Sequence, residues 1–144
     1  MQTLKKKIFI VDDHPIVRGG LAQLINQEED MMSVGEAGNA TEAIQGIEKL
    51  KPDLVLMDIS LEGSNGIELT KGILAEHPEI CVLIISMYDE SLYLESALRA
   101  GAKGYLTKQL ASDHVVVAIR TVLKGDIYIS DKWKDKLTDS KKPL

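Results

Sequence analysis

Short apolar runs alternate along this chain with segments whose apolar residues have helical spacing. The first run, residues 8–11, is apolar at every position, and Val17, Leu21, Leu24 and Ile25 then recur at three- and four-residue intervals. Further strands are predicted near residues 32–37, 54–57, 81–85 and 103–106, and further helices near 40–50, 67–74, 94–98 and 111–123. The pattern therefore predicts successive units of one strand and one helix.

The apolar runs do not alternate with polar residues, and this property indicates how the sheet is covered. A strand buried on one face alternates apolar and polar side chains, whereas a strand buried on both faces is apolar throughout. Strands of the second kind are typical of parallel sheets that carry helices on each side. We therefore predict an α/β protein with a doubly wound, five-stranded parallel sheet and helices on both faces, a (βα)5 fold.

Polar residues stand where four of these runs end. Asp12 and Asp13 follow the first run, Asp58 ends the third, Ser86 ends the fourth, and Lys108 comes just after the fifth. In doubly wound sheets, ligands bind at the carboxyl ends of the strands, near the point where the winding reverses. Carboxylates, a hydroxyl and an ammonium in one pocket suit a magnesium-dependent aspartate that accepts a phosphoryl group.

The size and charge of the chain restrict its classes of function. Its 144 residues suffice for one domain with a core, and its formal net charge of -5 argues against a sequence-independent grip on nucleic acid. Cys81 is the single cysteine, which excludes an internal disulfide and a cysteine-based zinc site. The sequence has no recognisable signal peptide or membrane-spanning stretch, so we expect a cytoplasmic protein.

Residues 125–144 differ in composition from the rest of the chain. They are polar, and their lysines alternate with Asp131, Asp135 and Asp139. Because this alternation gives no continuous basic stripe for a phosphate backbone, we expect no direct binding of nucleic acid by this chain. We therefore assign residues 1–124 to the domain and residues 125–144 to a linker or tail.

Three motifs relate the chain to a known family: residues 9–14 (FIVDDH), 53–58 (DLVLMD) and 101–108 (GAKGYLTK). In this order and spacing they resemble the receiver (CheY-like) domain of two-component response regulators, over roughly residues 7–124. Residues 118–120 (AIR) and 125–130 (GDIYIS) resemble the NarL/FixJ subfamily, which carries a LuxR-type helix-turn-helix after a linker. The resemblance implies the flavodoxin-like receiver fold, and the chain ends about where that output domain begins.

The resemblance implies a role for each acidic residue of the group. Asp58 would be the phosphoacceptor, since a carboxylate oxygen can attack phosphorus and form an acyl phosphate. Asp13, Asp58 and the backbone carbonyl of Ser60 would bind Mg²⁺ or Mn²⁺ directly, and Asp12 would act through water. A hard divalent cation supplies the counter-charge that clustered carboxylates need.

The resemblance also implies that Lys108 and Ser86 bind the phosphoryl group and that Tyr105 responds to it. The Lys108 ammonium would supply a point charge and Ser86 a hydroxyl, which together stabilise the loose transition state of phosphoryl transfer. Capture of the phosphoryl group by Ser86 would vacate space into which Tyr105 turns. Ser86 and Tyr105 would thus act as a switch between two populations of the domain.

Partners follow from the resemblance as well. A sensor histidine kinase would phosphorylate Asp58, and the chain's own helix-turn-helix output domain, in a full-length bacterial protein, would control transcription. Beyond intrinsic self-phosphorylation and autodephosphorylation we expect no enzymatic activity. A homodimer that forms on phosphorylation is a further expectation, and no membrane partner is expected.

Three alternatives use parts of the same pattern. A phosphorylation-independent receiver would keep the motifs and act by protein binding alone. An aspartyl-phosphate hydrolase of the haloacid dehalogenase type needs a second aspartate two residues after its nucleophile, and this chain has Ser60 there. A flavodoxin-like cofactor carrier needs a loop rich in Ser, Thr or Gly after the first strand, where Asp12 and Asp13 would repel a phosphate.

Three residues leave details of the site open. His14 could bind a metal beside the acidic pair, or it could be a partly exposed neighbour. Glu62 replaces the proline that most receivers carry four residues after the acceptor, and Gln109 replaces the proline that follows the active-site lysine. We therefore expect a looser loop after the acceptor and a less tightly aimed lysine.

Overall fold

The computed structural model of the protein describes residues 4–135. The strands in this range are β1 (Lys6–Val11), β2 (Met31–Ala37), β3 (Leu54–Asp58), β4 (Ser60–Leu61), β5 (Ser64–Asn65), β6 (Cys81–Ser86) and β7 (Gly104–Thr107). The helices are α1 (Pro15–Asn26), α2 (Ala40–Leu50), α3 (Gly66–Glu76), α4 (Glu90–Arg99) and α5 (Ala111–Leu123). No helix between residues 4 and 135 combines the length and the apolar composition that a bilayer crossing needs.

The main sheet has five strands in the order β2-β1-β3-β6-β7, and each neighbouring pair is parallel. The winding reverses between β1 and β3, because the chain moves outward to β2 on one side and to β6 and β7 on the other. The predicted doubly wound parallel sheet is confirmed. This order places the carboxyl ends of β1, β3, β6 and β7 next to one another.

Two apolar layers cover the two faces of the sheet. Ile8 and Ile10 of β1 pack with residues of α1 and α5, whereas Phe9 and Val11 pack with residues of α2, α3 and α4. Successive side chains of β1 thus enter opposite cores, as strand geometry requires. Both layers are buried, which explains why β1 is apolar at every one of these positions.

A short hairpin follows the carboxyl end of β3, where the sequence predicts only a loop. Its strands β4 and β5 are antiparallel, and Asn65 at its end accepts a hydrogen bond from the backbone N–H of Ile67 at 2.7 Å. This cap begins α3 at Gly66. A Cβ on Gly66 would overlap the carbonyl oxygen of Asp58, so α3 packs its first turn directly on the backbone of the predicted acceptor.

Gly66→Ala is expected to destabilise the protein by about 2–3 kcal/mol, because the added Cβ meets main-chain atoms of Asp58 and Ile59. Gly72→Ala in the same helix is the matched control, since nothing lies within 4 Å of its Cβ. Alanine there should stabilise by about 1 kcal/mol through helix propensity. Urea unfolding measures both effects, and equal stability of the two variants would contradict the close packing.

The chain after α5 contacts the free edge of β7. The backbone N–H of Tyr128 donates to the carbonyl of Lys103 at 3.0 Å, and the N–H of Tyr105 donates to the carbonyl of Tyr128 at 2.9 Å. This pairing forms a single parallel bridge between Gly104 and Tyr128. A Cβ on Gly104 would lie 2.9 Å from the Tyr128 carbonyl oxygen, so glycine permits the close approach.

Residues 128–133, which we name the edge segment, contact the domain beyond this bridge. Both their side chains and their backbone groups take part. Ile129 is buried, and Trp133 packs against the apolar layer of α2, α3 and α4. The N–H of Ser130 donates to Glu90 of α4 at 3.0 Å. This part of the predicted linker therefore contacts the domain, because its apolar residues cover the sheet edge. Residues 136–144 of that linker lie outside the described residues, and the domain boundary at residue 124 stays a prediction.

Candidate functional site

The carboxyl edge of the sheet gathers the polar residues that follow the apolar runs. Asp58 and Ser86 are the last residues of β3 and β6, and Asp12 and Lys108 directly follow β1 and β7. These four strands are parallel neighbours, so their ends lie side by side. The N–H of Lys108 donates to the carbonyl of Ser86 at 2.8 Å, which extends the ladder between β6 and β7 beyond the strand ends.

Carboxylates converge at this edge. One atom each from Asp12, Asp13, His14 and Asp58 lies within 4.8 Å of the others. Asp12 and Asp58 are only 1% and 2% exposed, whereas Asp13 is partly exposed. Buried carboxylates lose their water and repel one another, so they need a counter-charge.

Lys108 supplies a counter-charge to two of these carboxylates. Its Nζ lies 2.9 Å from Asp12 Oδ2 and 3.1 Å from Asp58 Oδ2. Burial alone would lower the pKa of Lys108, but its contacts with Asp12 and Asp58 outweigh burial and raise that pKa. The ammonium is therefore charged and bridges both carboxylates.

Asp58 is desolvated, and both of its oxygens are oriented. Burial raises the pKa of Asp58 and the negative charge of Asp12 raises it further, while Lys108 and the backbone N–H of Ser60 partly offset these effects. The Ser60 N–H donates to Asp58 Oδ1 at 3.1 Å, and Lys108 holds Oδ2. A carboxylate oxygen held in this way has the chemistry of a nucleophile.

The donor set fits a hard divalent cation. Asp12 Oδ2 and Asp13 Oδ1 are buried, and although charged groups lie near them, no protein donor is aligned to hydrogen-bond them. The single ammonium of Lys108 offsets only part of the charge of three carboxylates, and Mg²⁺ and Mn²⁺ prefer carboxylate and carbonyl oxygens as ligands. The carbonyl of Ser60, in the hairpin strand β4, stays a predicted ligand.

Ser86 and Tyr105 are linked through the loop after β6. Ser86 Oγ accepts a hydrogen bond from the N–H of Tyr88 at 3.0 Å, and the Tyr105 hydroxyl donates to the carbonyl of Tyr88 at 2.8 Å. The pKa of Tyr105 is raised to about 12, chiefly by burial, although its interaction with the side chain of Ser86 acts to lower it. Tyr105 thus already occupies the inward position that we expected only after phosphorylation, because the Tyr88 carbonyl binds its hydroxyl there. Its role as a switch stays a prediction.

Arg18 and His14 contact the acidic pair in ways that the apolar pattern does not indicate. Arg18 Nη1 donates to the carbonyl of Asp12 at 2.6 Å and its Nε donates to Glu36 at 3.2 Å, which fixes the turn after β1. The only feature of the sequence that could have indicated the Arg18 contact is the presence of an arginine beside the apolar residues of α1. His14 Nδ1 lies 3.0 Å from Asp12 Oδ1 and 2.9 Å from Asp13 Oδ1.

Asp58→Asn is expected to stabilise the protein by on the order of 1 kcal/mol at about pH 7 without divalent cations. The pKa of Asp58 lies above its ordinary value of 3.8, so its ionisation costs more in the folded than in the unfolded chain. Below pH 3.8 the Asp58 side chain is protonated and contributes to the free energy of unfolding. This contribution is lost as the pH rises through the folded-state pKa, whereas asparagine does not ionise and loses nothing. Urea unfolding from about pH 4 to about pH 7 should show an advantage of the variant that grows with pH. A more stable wild type at neutral pH would contradict this.

Comparisons with known proteins agree with this geometry. Residues 8–120 match the family described as response regulator receiver domain. Oxygen regulatory protein NreC of Staphylococcus aureus (strain JH9) is 40% identical over 134 residues, which are 92% of this chain and 62% of that protein. The protein of the same name from Staphylococcus haemolyticus (strain JCSC1435) gives the same values. This chain therefore spans 62% of the length of these relatives.

Solved structures share the fold over nearly the whole chain. A two-component response regulator of the LuxR family from Aurantimonas sp. SI85-9A1 has a TM-score of 0.86 and 35% identity, over 95% of this chain and 98% of that chain. The non-phosphorylated receiver domain of the stress response regulator RcsB from Escherichia coli has a TM-score of 0.82 and 27% identity, over 89% of this chain and 100% of that chain. Fold, site and relatives together show that this chain belongs to the response regulator receiver domain family, as the receiver domain of a LuxR-family two-component regulator.

Proposed function

We propose that this receiver domain accepts a phosphoryl group on Asp58 in a Mg²⁺-dependent reaction and thereby changes the surface that it presents to an output. The observation that carries the proposal is the convergence of two almost fully buried carboxylates, Asp12 and Asp58, on Lys108. A sheet edge that served only the fold would be more stable with apolar residues, since buried charges cost free energy. A charged ligand accounts for their presence.

The proposed step exchanges one bond to phosphorus for another. A carboxylate oxygen of Asp58 attacks the phosphorus of a phosphohistidine on a sensor histidine kinase, and the P–N bond breaks as the P–O bond forms. The bonding electron pair leaves with the histidine nitrogen, which takes up a proton from water. The product is an acyl phosphate on Asp58, and its hydrolysis releases inorganic phosphate and restores the carboxylate.

Asp13, Asp58 and the carbonyl of Ser60 would hold the Mg²⁺ or Mn²⁺ directly, with Asp12 acting through water. When bound, such a cation neutralises charge on the phosphoryl oxygens. Support for these ligands comes from the convergence of the Asp12, Asp13 and Asp58 carboxylates, whose ligand atoms lie within 4.8 Å of one another and whose charge the single Lys108 ammonium offsets only in part. The acidic pair would then bind the cation while Asp58 both binds it and reacts.

Lys108 and Ser86 are proposed to bind the transferred group. Lys108 Nζ lies 3.1 Å from Asp58 Oδ2, so a phosphoryl group on Asp58 comes within its reach. Ser86 ends the strand next to β3 and is 1% exposed, which keeps its hydroxyl away from bulk water. Fixed donors in a poorly hydrated pocket stabilise the charge of the phosphoryl group throughout the transfer.

The proposed switch connects Ser86 with the edge segment. The backbone of Tyr88 binds both Ser86 Oγ and the Tyr105 hydroxyl, so a change at Ser86 alters the partner of Tyr105. The backbone N–H of Tyr105 binds the carbonyl of Tyr128 in the edge segment. Phosphorylation would therefore change the population of the buried Tyr105 rotamer and the contacts of the edge segment together.

Phosphorylation is expected to shift the backbone amide resonances of Tyr88, Tyr105 and Tyr128 in NMR spectra recorded with and without beryllofluoride and Mg²⁺. The reason is the chain of hydrogen bonds that joins these residues. Tyr105→Phe removes only the hydroxyl, so it should leave the response at Tyr88 and reduce the response at Tyr128. Shifts confined to the neighbourhood of Asp58 would contradict the coupling.

The proposed output is control of transcription by a helix-turn-helix domain that follows the edge segment in a longer protein. Support comes from the relatives, among them a LuxR-family regulator and NreC proteins of which this chain spans 62%. Binding of a recognition helix in the major groove would belong to that output domain. A homodimer formed on phosphorylation would be a further consequence.

Modification by acetyl phosphate tests the proposed function. Intact-mass analysis is expected to show one added phosphoryl group in the presence of Mg²⁺ and none in the presence of EDTA. Asp58→Asn should remain unmodified in both. Equal modification with EDTA would contradict the role of the cation, and a wild type that is never modified would favour a domain that acts by protein binding alone.

A further inference from the structure

An apolar groove lies between helices α2 and α3, and the proposed phosphoryl transfer does not use it. Its volume is about 330 Å³, and we name it the α2–α3 groove. Ile47 of α2 and Leu69 and Ile73 of α3 are buried side chains that line it. Ile44 of α2 lines it as well, yet this side chain is 51% exposed. The groove is therefore apolar and accessible to another molecule.

Gly72 of α3 keeps this groove open. The residue is exposed and lines the groove, and a Cβ at this position would meet nothing within 4 Å. Glycine inside a helix is less stable than alanine, and no close contact in the fold requires glycine here. Gly46 of α2 differs, because a Cβ there would overlap the ring of Phe9. The missing side chain at Gly72 therefore leaves room for a side chain of another molecule.

One end of the groove is negatively charged. Glu48 and Glu76 line it from the last turns of α2 and α3, where the helix macrodipole disfavours a carboxylate. Among the described residues, neither carboxylate forms an ion pair. Lys49 shares a turn with Glu48 but does not line the groove, and His77 at this end lies 3.9 Å from Glu79. The two unpaired carboxylates and the two helix ends together favour a positively charged partner.

We propose that the α2–α3 groove binds a basic amphipathic helix of a partner protein. Apolar side chains of that helix would enter beside Gly72, and its lysine or arginine side chains would pair with Glu48 and Glu76. An amphipathic helix commonly binds in this way, with its apolar face in a groove and with complementary charges that fix its orientation. A second copy of this chain fits less well, since a twofold dimer through the groove would bring acidic residues of both copies together.

This surface is separate from the phosphorylation site. Each helix that connects two parallel strands returns the chain to the amino edge of the sheet, so the ends of α2 and α3 that carry Glu48 and Glu76 lie at the edge opposite Asp58. The inference therefore goes beyond the proposed function and does not depend on it.

Binding of a fluorescein-labelled helical peptide of leucine and lysine, with its leucines at helical spacing, tests the inference by fluorescence anisotropy. Gly72→Gln is expected to weaken binding at least about 10-fold, because the new side chain occupies the groove. Glutamine is a good helix former, so urea unfolding should show no loss of stability. Gly20→Gln is the matched control, since Gly20 is an exposed glycine of α1 with nothing within 4 Å of its Cβ. This control should bind the peptide as the wild type does.

A double variant tests the contribution of the charges. Glu48→Gln with Glu76→Gln is expected to weaken binding about 5-fold, the effect of two exposed ion pairs. Glu29→Gln with Asp126→Asn removes the same net charge at exposed positions that do not line the groove, and it should leave the affinity unchanged. A peptide in which glutamate replaces every lysine should bind the wild type more weakly than the lysine peptide.

Three outcomes would overturn the inference. Equal affinity of Gly72→Gln and the wild type would exclude the groove as the binding site. An equal loss in both double variants would show that the peptide binds the acidic surface in general. Sedimentation that shows a dimer of the wild type, which Gly72→Gln abolishes, would assign the groove to a second copy of the chain. All of these measurements use the unphosphorylated protein, so failure of the proposed function would leave them unaffected.

Discussion

Lys108→Ala is expected to slow phosphorylation by acetyl phosphate about 100-fold and, at the same time, to tighten Mg²⁺ binding about 10-fold. The slower transfer follows from the loss of a fixed charge beside the transferred group. The tighter binding follows because the Lys108 ammonium lies 2.9 and 3.1 Å from oxygens of Asp12 and Asp58 and repels an incoming cation. General damage to the fold would not produce two effects of opposite sign.

Lys103→Ala is the matched control, because Lys103 is an exposed lysine that precedes β7, whereas Lys108 follows it. This variant should change neither the rate of phosphorylation nor the affinity for Mg²⁺. Rapid-quench measurements at saturating Mg²⁺ give the rate of phosphorylation, and calorimetry gives the affinity for the cation. A Lys108→Ala protein that binds Mg²⁺ more weakly than the wild type would contradict the competition between Lys108 and the cation.

Asp13→Asn is expected to weaken Mg²⁺ binding about 100-fold, since it removes a full charge from a side chain in direct contact with the cation. The Asp13 side chain is 24% exposed, and its Oδ1 is buried without an aligned donor. Asparagine keeps the shape and one oxygen, so the change isolates the charge. Phosphorylation at limiting Mg²⁺ should slow in proportion to the lost occupancy.

Asp126→Asn serves as the control for this charge. Asp126 is exposed and lies just after α5, so the substitution removes the same net charge at a position remote from the strand ends that carry the site. Calorimetric titration of Mg²⁺ into the three proteins should separate Asp13→Asn from the other two. The same affinity in all of them would contradict Asp13 as a ligand.

The position of the acidic site could be predicted because the carboxyl ends of neighbouring parallel strands lie side by side at one edge of the sheet. Asp12, Asp58 and Ser86 each stand at the end of an apolar run, and the length of a buried strand is visible as the length of that run. Whether a run is covered on both faces is also a local property of the sequence. Strand ends and sheet type together therefore locate the site without any knowledge of side-chain contacts.

Contacts that depend on distant parts of the chain could not be predicted in this way. The inward position of Tyr105 depends on the carbonyl of Tyr88, which is 17 residues away in sequence. Contact of the edge segment with β7 depends on the missing Cβ of Gly104 and on the backbone of Tyr128. The reach of Arg18 to the turn after β1 depends on how α1 packs. No local pattern of polar and apolar residues encodes these contacts.

Identification of the modified residue tests the central claim most directly, because Asp58 itself should receive the phosphoryl group. Borohydride reduces the acyl phosphate of an aspartate to homoserine, and peptide mass spectrometry locates that change. After treatment with acetyl phosphate and Mg²⁺, we expect homoserine at position 58, and after treatment with acetyl phosphate and EDTA we expect unchanged aspartate there. Homoserine at Asp12 or Asp13 instead, or at no position at all, would contradict the assignment of Asp58 as the phosphoacceptor.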